Sequence, residues 1–283
     1  MFSGHEVPER GKGMKIREDG GVAIRQSWLN DFLLCPERAR RNVVEPDANI
    51  GSDLTVIGTA MHAVIEQVLS GEIDPGAAAE AAPEALQMAA EAERWKSTGL
   101  TPEEMVGQTR LMSAAWADNV YPIMPPGGQV EYKFEFQIGE ADGTPVWFEG
   151  TIDYVAPNNT VWDHKSASRK YQQWEKQRWA VQPSVYCAAA VHDGLVTQVP
   201  VKFFYDVMLR NGDTQIVELQ RDIGHISFVR KQALSAAQFA LRYGMDNPWP
   251  LNDQSALCSH IWCPFWDTCK GADMSGDELT WKP

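Results

Sequence analysis

Three stretches in the middle of the chain alternate between apolar and polar residues, and this pattern constrains the fold more than any other feature. They read QVEYKFEFQIG, VWFEGTIDYVA and TVWDHKS. Alternation with a period of two predicts strands that bury one face. The turn-forming residues 157–159 (Pro-Asn-Asn) separate the last two stretches, so we predict that these two form an antiparallel hairpin.

Helical periodicity dominates before these strands. We predict a short helix in SWLNDFLLCPERARRN, with Ser27 as its N-cap and an end or a kink near Pro36. A second helix is predicted in TVIGTAMHAVIEQVLSG, and the stretch from about 75 to 97 is predicted to be helical as well. A further helix begins after Thr101, the N-cap of a capping box. A helical block over about 59–122 therefore precedes the strands.

After the hairpin, the segment YQQWEKQRWAVQPSVYCAAAVHDG is predicted to form one long helix. The stretches PVKFFYDVML and TQIVELQRD predict another strand pair, and a helix is predicted over about 223–243. Helices that precede, separate and follow the strands predict an α/β fold. Residues 1–26 are predicted to be a polar lead-in, and the cysteine-bearing tail begins at residue 258.

The composition, 44% apolar and 22% charged, is typical of a folded protein that dissolves in water. No apolar run approaches the roughly 20 residues that span a bilayer, and the first residues lack a signal-peptide stretch. We therefore expect a cytoplasmic protein with reduced thiols and no membrane partner. The net charge of −13 argues against a nucleic-acid partner, but the segments PERARR and HKSASRKYQQWEKQRW are locally basic.

The predicted hairpin carries residues that suit a metal-dependent hydrolase. Asp153 and Asp163 lie in its two strands, on opposite sides of a tight turn, so their carboxylates can converge on an oxygen-rich site for Mg²⁺ or Mn²⁺. Asp163 and Lys165 are two residues apart and share a strand face. A lysine beside such a carboxylate can orient a water or neutralise charge on a phosphate. Taken alone, a D-x-K triplet is more typical of a surface strand with an ion pair.

Two predicted helices supply further candidates. His62 lies four residues before Glu66, and Gln182 lies four residues before Tyr186, so each pair shares a helix face. Taken singly, His62 also suits a partly buried core position, and the Gln182–Tyr186 pair also suits a packing interface.

The order of these motifs resembles the PD-(D/E)XK nuclease superfamily and, within it, the RecB-like branch. The pattern runs G-x-x-x-H, G-x-x-D, D-x-K and Q-x-x-x-Y, and its matches here are Gly58 and His62, Gly150 and Asp153, Asp163, His164 and Lys165, and Gln182 and Tyr186. The resemblance covers about residues 27–270. It implies a restriction-endonuclease-like mixed sheet flanked by helices, with an N-terminal helical region and a nuclease domain over residues 27–257.

The resemblance also implies a role for each matched residue. Four ligands would hold the catalytic Mg²⁺ or Mn²⁺: His62, Asp153, Asp163 and the backbone carbonyl of His164. Lys165 would orient the attacking water and stabilise the transition state, and Gln182 and Tyr186 would brace the site or contact the DNA backbone. The motif does not fix the roles of three nearby acids, Glu131, Glu135 and Glu149.

Three of the five cysteines lie in the tail segment CSHIWCPFWDTC, residues 258–269. Clustered thiols in a cytoplasmic protein indicate a metal site rather than a disulfide. The spacing C-x4-C-x5-C lacks the C-x2-C pairs of zinc ribbons. His260 is the alternative fourth ligand for a Cys3His zinc site, although it lies only two residues from Cys258. Cys187, among small apolar residues, suits a buried core position.

One distant N-terminal cysteine with three near the C-terminus resembles the iron–sulfur members of the RecB-like nucleases. These include the CRISPR-associated exonucleases, the AddB nuclease domain and phage homologues. The resemblance implies a structural [4Fe–4S] cluster bound by Cys35, Cys258, Cys263 and Cys269. Residues 258–283 would then pack with Cys35 as a C-terminal clasp.

The implied activity is that of a metal-dependent DNA exonuclease, hydrolysing phosphodiester bonds at single-stranded ends with a 5′-to-3′ bias. Its implied setting is recombination, repair or spacer acquisition, with protein partners in a recombination or CRISPR adaptation complex, in the host cytoplasm if a phage encodes it. The segment 169–179 suits either guidance of a DNA strand or an amphipathic helix whose tryptophans fill the core. The alternative function is a non-catalytic DNA-end-binding subunit.

Overall fold

The computed structural model describes residues 13–255, 257–260 and 262–269. The predictions for the first part of the lead-in, residues 1–12, and for the end of the clasp region, residues 270–283, lie outside the described residues. The fold is α/β, with a mixed sheet flanked by helices, which confirms the predicted class. Within the part of the chain that the structure describes, no helix is long and apolar enough to cross a lipid bilayer.

The helices are α1 (Gln26–Leu34), α2 (Pro36–Val44), α3 (Asp53–Leu69), α4 (Ala78–Ala92), α5 (Pro102–Asn119), α6 (Gln173–Trp179), α7 (Val181–His192) and α8 (Ile223–Tyr243). The strands are β1 (Met14–Ile16), β2 (Val22–Ile24), β3 (Gly51–Ser52), β4 (Trp95–Lys96), β5 (Gln129–Ala141), β6 (Thr144–Ala156), β7 (Thr160–Ala167), β8 (Val201–Leu209) and β9 (Thr214–Arg221).

The chain divides into two compact units. Of the described residues, the first contains 51–136 and 150–229, and the second contains 13–50, 137–149 and those from 230.

The helical half of the first unit consists of α3, α4 and α5, which agrees with the predicted helices, except that the helix predicted to reach about 97 ends at Ala92 and is followed by β4. These helices share one apolar core, to which the strands contribute Tyr154, Trp162 and Met208. The predicted capping box at the start of α5 is also confirmed, because Thr101 Oγ1 accepts from the backbone N–H of Glu104 and the Glu104 carboxylate accepts from the N–H of Thr101. The core fixes α3, the helix that carries His62, against the sheet.

The strands of the first unit confirm the predicted hairpin. β6 and β7 pair antiparallel, with Tyr154 opposite Trp162, around a turn in which Asn159 has a φ of 62°. An asparagine tolerates this left-handed conformation better than most residues. β7 then pairs with β8 in parallel, and β8 pairs antiparallel with β9, which confirms the second predicted strand pair.

The long helix predicted after the hairpin is wrong, because the segment forms two helices. Ala180 has an extended backbone (ψ 120°) and separates α6 from α7. Pro183 gives the reason. In a continuous helix its ring would clash with the carbonyl of Trp179, four residues earlier, whereas a proline is tolerated in the first turn of a new helix.

The second unit begins with a short antiparallel pair, β1 and β2, inside the segment predicted to be a lead-in. β2 is buried and pairs in parallel with β6, with Ile24 opposite Phe148. Strands of three residues are too short to show a period, so the sequence pattern did not reveal them. Ser27 is not the N-cap of α1, because the helix already includes Gln26 and its N-cap is Arg25.

The predicted helix end near Pro36 is confirmed. α1 ends at Leu34, Cys35 is extended (φ −159°, ψ 107°), and Pro36 begins α2 as its first residue. An aromatic cluster of Trp28, Phe32, Phe239 and Trp249 packs α1 against α8 and the segment that follows it. This packing fixes the position of Cys35 at the junction of α1 and α2.

Candidate active site

The hairpin brings both predicted aspartates to one place in the first unit. Asp153 comes from β6 and Asp163 from β7, and both are buried. The backbone N–H of His164 donates to Asp153 Oδ2 at 2.8 Å, so the position of this carboxylate is fixed by the neighbouring strand. The D-x-K strand therefore positions one carboxylate of its own and a second one from its partner.

Two predicted site residues contact Asp163, and a third supports one of them. Lys165 Nζ forms an ion pair with Asp163 Oδ2, and Gln182 Nε2 donates to Asp163 Oδ1 at 2.8 Å. Gln182 Nε2 also lies 3.2 Å from the hydroxyl of Tyr186, one turn further along α7. Burial raises the pKa of Asp163 to about 6, against the opposing effect of Lys165. The pKa of Lys165 is raised because the two aspartates outweigh its burial, so its ammonium stays protonated.

A second group of ligand atoms lies beside this pair. Within the residues that the structure describes, His62, Glu131 and Asp153 each offer an atom within 4.8 Å of the other two, and Asp163 is outside this group. His62 Nδ1 is 3.5 Å from Asp153 Oδ2. The motif had left Glu131 unassigned. Its φ of 47° breaks the regular alternation of β5, which is why the strand pattern could not show where this side chain points.

The other two unassigned acids are placed elsewhere. Glu135 is exposed on β5. Glu149 belongs to the second unit, where it is paired with Lys15 and with Arg25, the latter at 3.0 Å.

The group of His62, Glu131 and Asp153 has the chemistry of a divalent-metal site. Burial, reinforced by the nearby charge of Asp153, raises the pKa of Glu131 to about 8. Burial and the nearby Lys165 lower the pKa of His62 to about 4, so its imidazole is neutral and has a lone pair to donate. One imidazole nitrogen with carboxylate oxygens suits Mn²⁺ or Mg²⁺. The residues present therefore fit the implied ion.

His164 is fixed by groups that the sequence motifs did not reveal. Its Nδ1 lies 2.7 Å from Asp206 Oδ2, and Trp116 Nε1 donates to the same oxygen at 2.9 Å. All three side chains are buried almost completely. Burial opposes the charged imidazole, but Asp206 outweighs it and raises the pKa of His164 to about 9. Asp206 is directly opposite His164 in the parallel β7–β8 register, a long-range pairing that no local spacing encodes.

The two motif glycines allow close packing around the site. A Cβ at Gly58 would lie 3.0 Å from Ser166 Oγ, so the glycine lets α3 approach the end of β7. A Cβ at Gly150 would lie 2.8 Å from the ring of Phe134, which itself packs edge-to-face on Tyr186. Both glycines are therefore explained by the space they leave for a neighbour.

Four cysteines surround one cavity in the second unit. Cys35, Cys258, Cys263 and Cys269 all line it, together with the side chains of Arg38 and Arg41. Burial and the neighbouring thiols raise the pKa of Cys258. His260 is exposed and does not line the cavity.

Residues 25–270 match the model of the PD-(D/E)XK nuclease superfamily. The chain belongs to this superfamily. Its fold is similar to that of a solved protein from Eubacterium rectale described as a candidate exonuclease, with a TM-score of 0.54 and 11% identity over 91% of this chain and 94% of that one. The solved protein SSO0001 is similar at a TM-score of 0.36 and 12% identity, over 77% and 84%. A comparison with curated proteins found no match.

The range matched to the PD-(D/E)XK superfamily contains every residue that the motifs selected. In the structure these residues fall into two places. His62, Asp153, Asp163, Lys165, Gln182 and Tyr186 meet in the first unit, whereas the four cysteines meet in the second. Cys187 lies in neither place, since it is buried in α7, as predicted.

Proposed function

We propose that this chain is a RecB-like, metal-dependent deoxyribonuclease that hydrolyses phosphodiester bonds at single-stranded DNA ends, with a 5′-to-3′ bias, in recombination, repair or spacer acquisition. One observation carries the proposal. The ligand group His62, Glu131 and Asp153 lies beside the ion pair of Asp163 and Lys165. A metal site next to a protonated lysine is an arrangement suited to phosphodiester hydrolysis.

His62, Glu131 and Asp153 would bind Mn²⁺ or Mg²⁺, with Asp163 and the carbonyl of His164 as further predicted ligands. When bound, such an ion lowers the pKa of water and stabilises negative charge on a phosphate. The protein contributes the shape of the site: β6 and β7 set the separation of the two aspartates, and α3 brings His62 over them.

Lys165 has the role of a fixed positive charge. The raised pKa keeps its ammonium protonated, so it can orient the attacking water and stabilise the charge that develops on the phosphate oxygens. Gln182 donates to Asp163 and thereby holds the carboxylate that pairs with Lys165. Tyr186 supports Gln182 from one helical turn away.

The activity is tested with end-labelled single-stranded DNA and Mn²⁺ or Mg²⁺. We expect Lys165→Ala to lower the rate by about 10² to 10³-fold, because one group that stabilises the transition-state charge is lost. We expect Asp153→Ala to remove measurable hydrolysis. Lys133→Ala, which changes an exposed lysine of β5, is the matched control and should retain the wild-type rate. Equal rates in all four proteins would contradict the catalytic assignment.

The preference for ends and the polarity are tested with blocked substrates. A strand blocked at its 5′ end should resist hydrolysis, a strand blocked at its 3′ end should be shortened from the other end, and a circular strand should stay intact. Hydrolysis of the circle would contradict the exonuclease assignment, and shortening only from the 3′ end would contradict the polarity.

We further propose that Cys35, Cys258, Cys263 and Cys269 bind a structural [4Fe–4S] cluster. The four thiols line one cavity, and cysteine-only ligation is the usual requirement of such clusters. When bound, the cluster would link Cys35, between α1 and α2, to the tail segment.

The cluster is tested by determining iron and visible absorbance in protein purified without oxygen. Cys35→Ala and Cys263→Ala should lose the iron and the absorbance. Cys187→Ala, the matched control in the buried core of α7, should retain both. Absence of iron from the wild-type protein, or unchanged iron in Cys35→Ala, would contradict the cluster.

A further inference from the structure

Helix α6, which follows the D-x-K strand, exposes two tryptophans. Trp174 and Trp179 are 58% and 60% exposed, and their rings contact each other edge-to-face with centroids 5.2 Å apart. Tryptophan is usually well buried in a folded domain. The prediction that these rings fill the core, one of the two left open by the sequence, is therefore wrong.

Polar contacts, rather than the tryptophans, hold α6 in place. Gln173 Nε2 donates to the carbonyl of Glu218 at 2.8 Å, and Gln177 exchanges two hydrogen bonds with the backbone of Gln220 at 3.1 Å. Arg221 adds a hydrogen bond to the carbonyl of Lys176. These contacts anchor the helix to β9 and leave each tryptophan more than half exposed.

The surroundings of the tryptophans are positively charged, although the chain as a whole is acidic. Residues 169–179, RKYQQWEKQRW, contain four basic residues and one acidic residue, in a chain with a net charge of −13. Arg169, Lys170 and Arg178 are exposed, and the guanidinium of Arg178 lies 5.6 Å from the ring centroid of Trp179. Aromatic rings alternating with cations complement a polyanion that carries flat bases.

This surface is connected to the candidate active site through two tyrosines. Lys176 Nζ lies 3.9 Å from the ring centroid of Tyr171 and 5.7 Å from that of Tyr205. Lys165 Nζ lies 6.0 Å from the same Tyr205 ring. The Tyr205 ring therefore has the lysine of the D-x-K motif and a lysine of α6 as neighbours, and the tryptophans belong to the same short helix as Lys176.

We propose that Trp174 and Trp179 form a base-stacking platform that guides a single DNA strand to the Asp163–Lys165 site. The inference rests on the proposed function, whose substrate it specifies. The expected ligand is single-stranded DNA, because unpaired bases expose their faces, whereas the bases of a duplex are stacked on one another. Arg169, Lys170 and Arg178 contact the phosphates of the same strand.

The test measures binding without hydrolysis, by fluorescence anisotropy of a labelled oligothymidylate in EDTA. Trp174→Ala and Trp179→Ala should each weaken binding about tenfold, the lower part of the range for loss of one stacked base. Trp174→Phe and Trp179→Phe should recover most of the affinity. Phe228→Ala, an equally exposed aromatic of the first unit, is the matched control and should bind as wild type does.

An abasic strand of the same length separates stacking from charge, because it keeps the phosphates and lacks the bases. The two alanine variants should bind it as the wild-type protein does. Wild-type affinity of both alanine variants for oligothymidylate would overturn the platform. An equal loss of affinity for the abasic strand would overturn it too. If the wild-type protein binds through these tryptophans but hydrolyses nothing, the proposed function fails and the platform stands. If it hydrolyses DNA and the tryptophan variants bind normally, only the platform fails.

Discussion

At the scale of single residues, the site depends on buried charges that hold one another. The backbone N–H of His164 donates to Asp153, and the imidazole of His164 is hydrogen-bonded to Asp206. Trp116, from the helical half of the unit, donates to Asp206 as well. The D-x-K motif accepts any side chain at position 164. The motif therefore gives His164 a role only through its backbone carbonyl. The side-chain partner became visible only with the β7–β8 register.

We expect Asp206→Asn to destabilise the protein by about 2 kcal/mol, since a hydrogen bond between charged groups is lost in a buried position. Urea unfolding measures the change. Asp213→Asn, an exposed aspartate in the turn between β8 and β9, is the control and should leave the midpoint unchanged. A midpoint for Asp206→Asn equal to that of the control would mean that the His164–Asp206 pair contributes nothing to stability.

Glu131 and Glu135, on the same strand, permit a matched comparison of metal binding. Glu131→Gln removes a charge from the ligand group, so we expect the affinity for Mn²⁺ to fall at least about tenfold, as even changes outside the ligand shell commonly cause. Glu135→Gln should keep the wild-type affinity. Calorimetric titration with Mn²⁺ distinguishes the two, and equal affinities would exclude Glu131 as a ligand.

At the scale of elements, local patterns predicted most helices and strands. The capping box of α5, the extent of α8 and the hairpin of β6 and β7 all follow from nearby residues. The break between α6 and α7 also has a local cause, because in a continuous helix the ring of Pro183 would clash with the carbonyl four residues upstream. The position of Glu131 could not be predicted from local patterns, because a left-handed residue within a strand follows from tertiary contacts.

Gly150 and Gly107 should respond in opposite directions to the same substitution. We expect Gly150→Ala to destabilise the protein by about 1 to 3 kcal/mol, because the ring of Phe134 must move. Gly107 is exposed within α5 and has open space around it, so Gly107→Ala should stabilise by up to about 1 kcal/mol. Thermal unfolding measures both, and a neutral Gly150→Ala would show that Phe134 adapts without cost.

At the scale of the whole molecule, a net charge of −13 confines any contact with DNA to basic segments. If Arg169, Lys170 and Arg178 supply the phosphate contacts, the logarithm of the binding constant for oligothymidylate should fall with the logarithm of the salt concentration with a slope of about −2, which corresponds to three neutralised phosphates. Arg169→Ala combined with Lys170→Ala should reduce that slope to about one third. Arg110→Ala, an exposed arginine of α5, should leave it unchanged, and a shallow wild-type slope would contradict a phosphate track.

The two units also differ in when their residues are synthesised. The described parts of the first unit end at residue 229, whereas the second unit includes residues near the start of the chain and residues beyond 230. Every residue of the candidate active site is therefore made while Cys35 still lacks its partners. The cysteine cavity closes only after Cys269 has been synthesised, so a prematurely terminated chain could contain the hydrolytic residues but never the complete cavity.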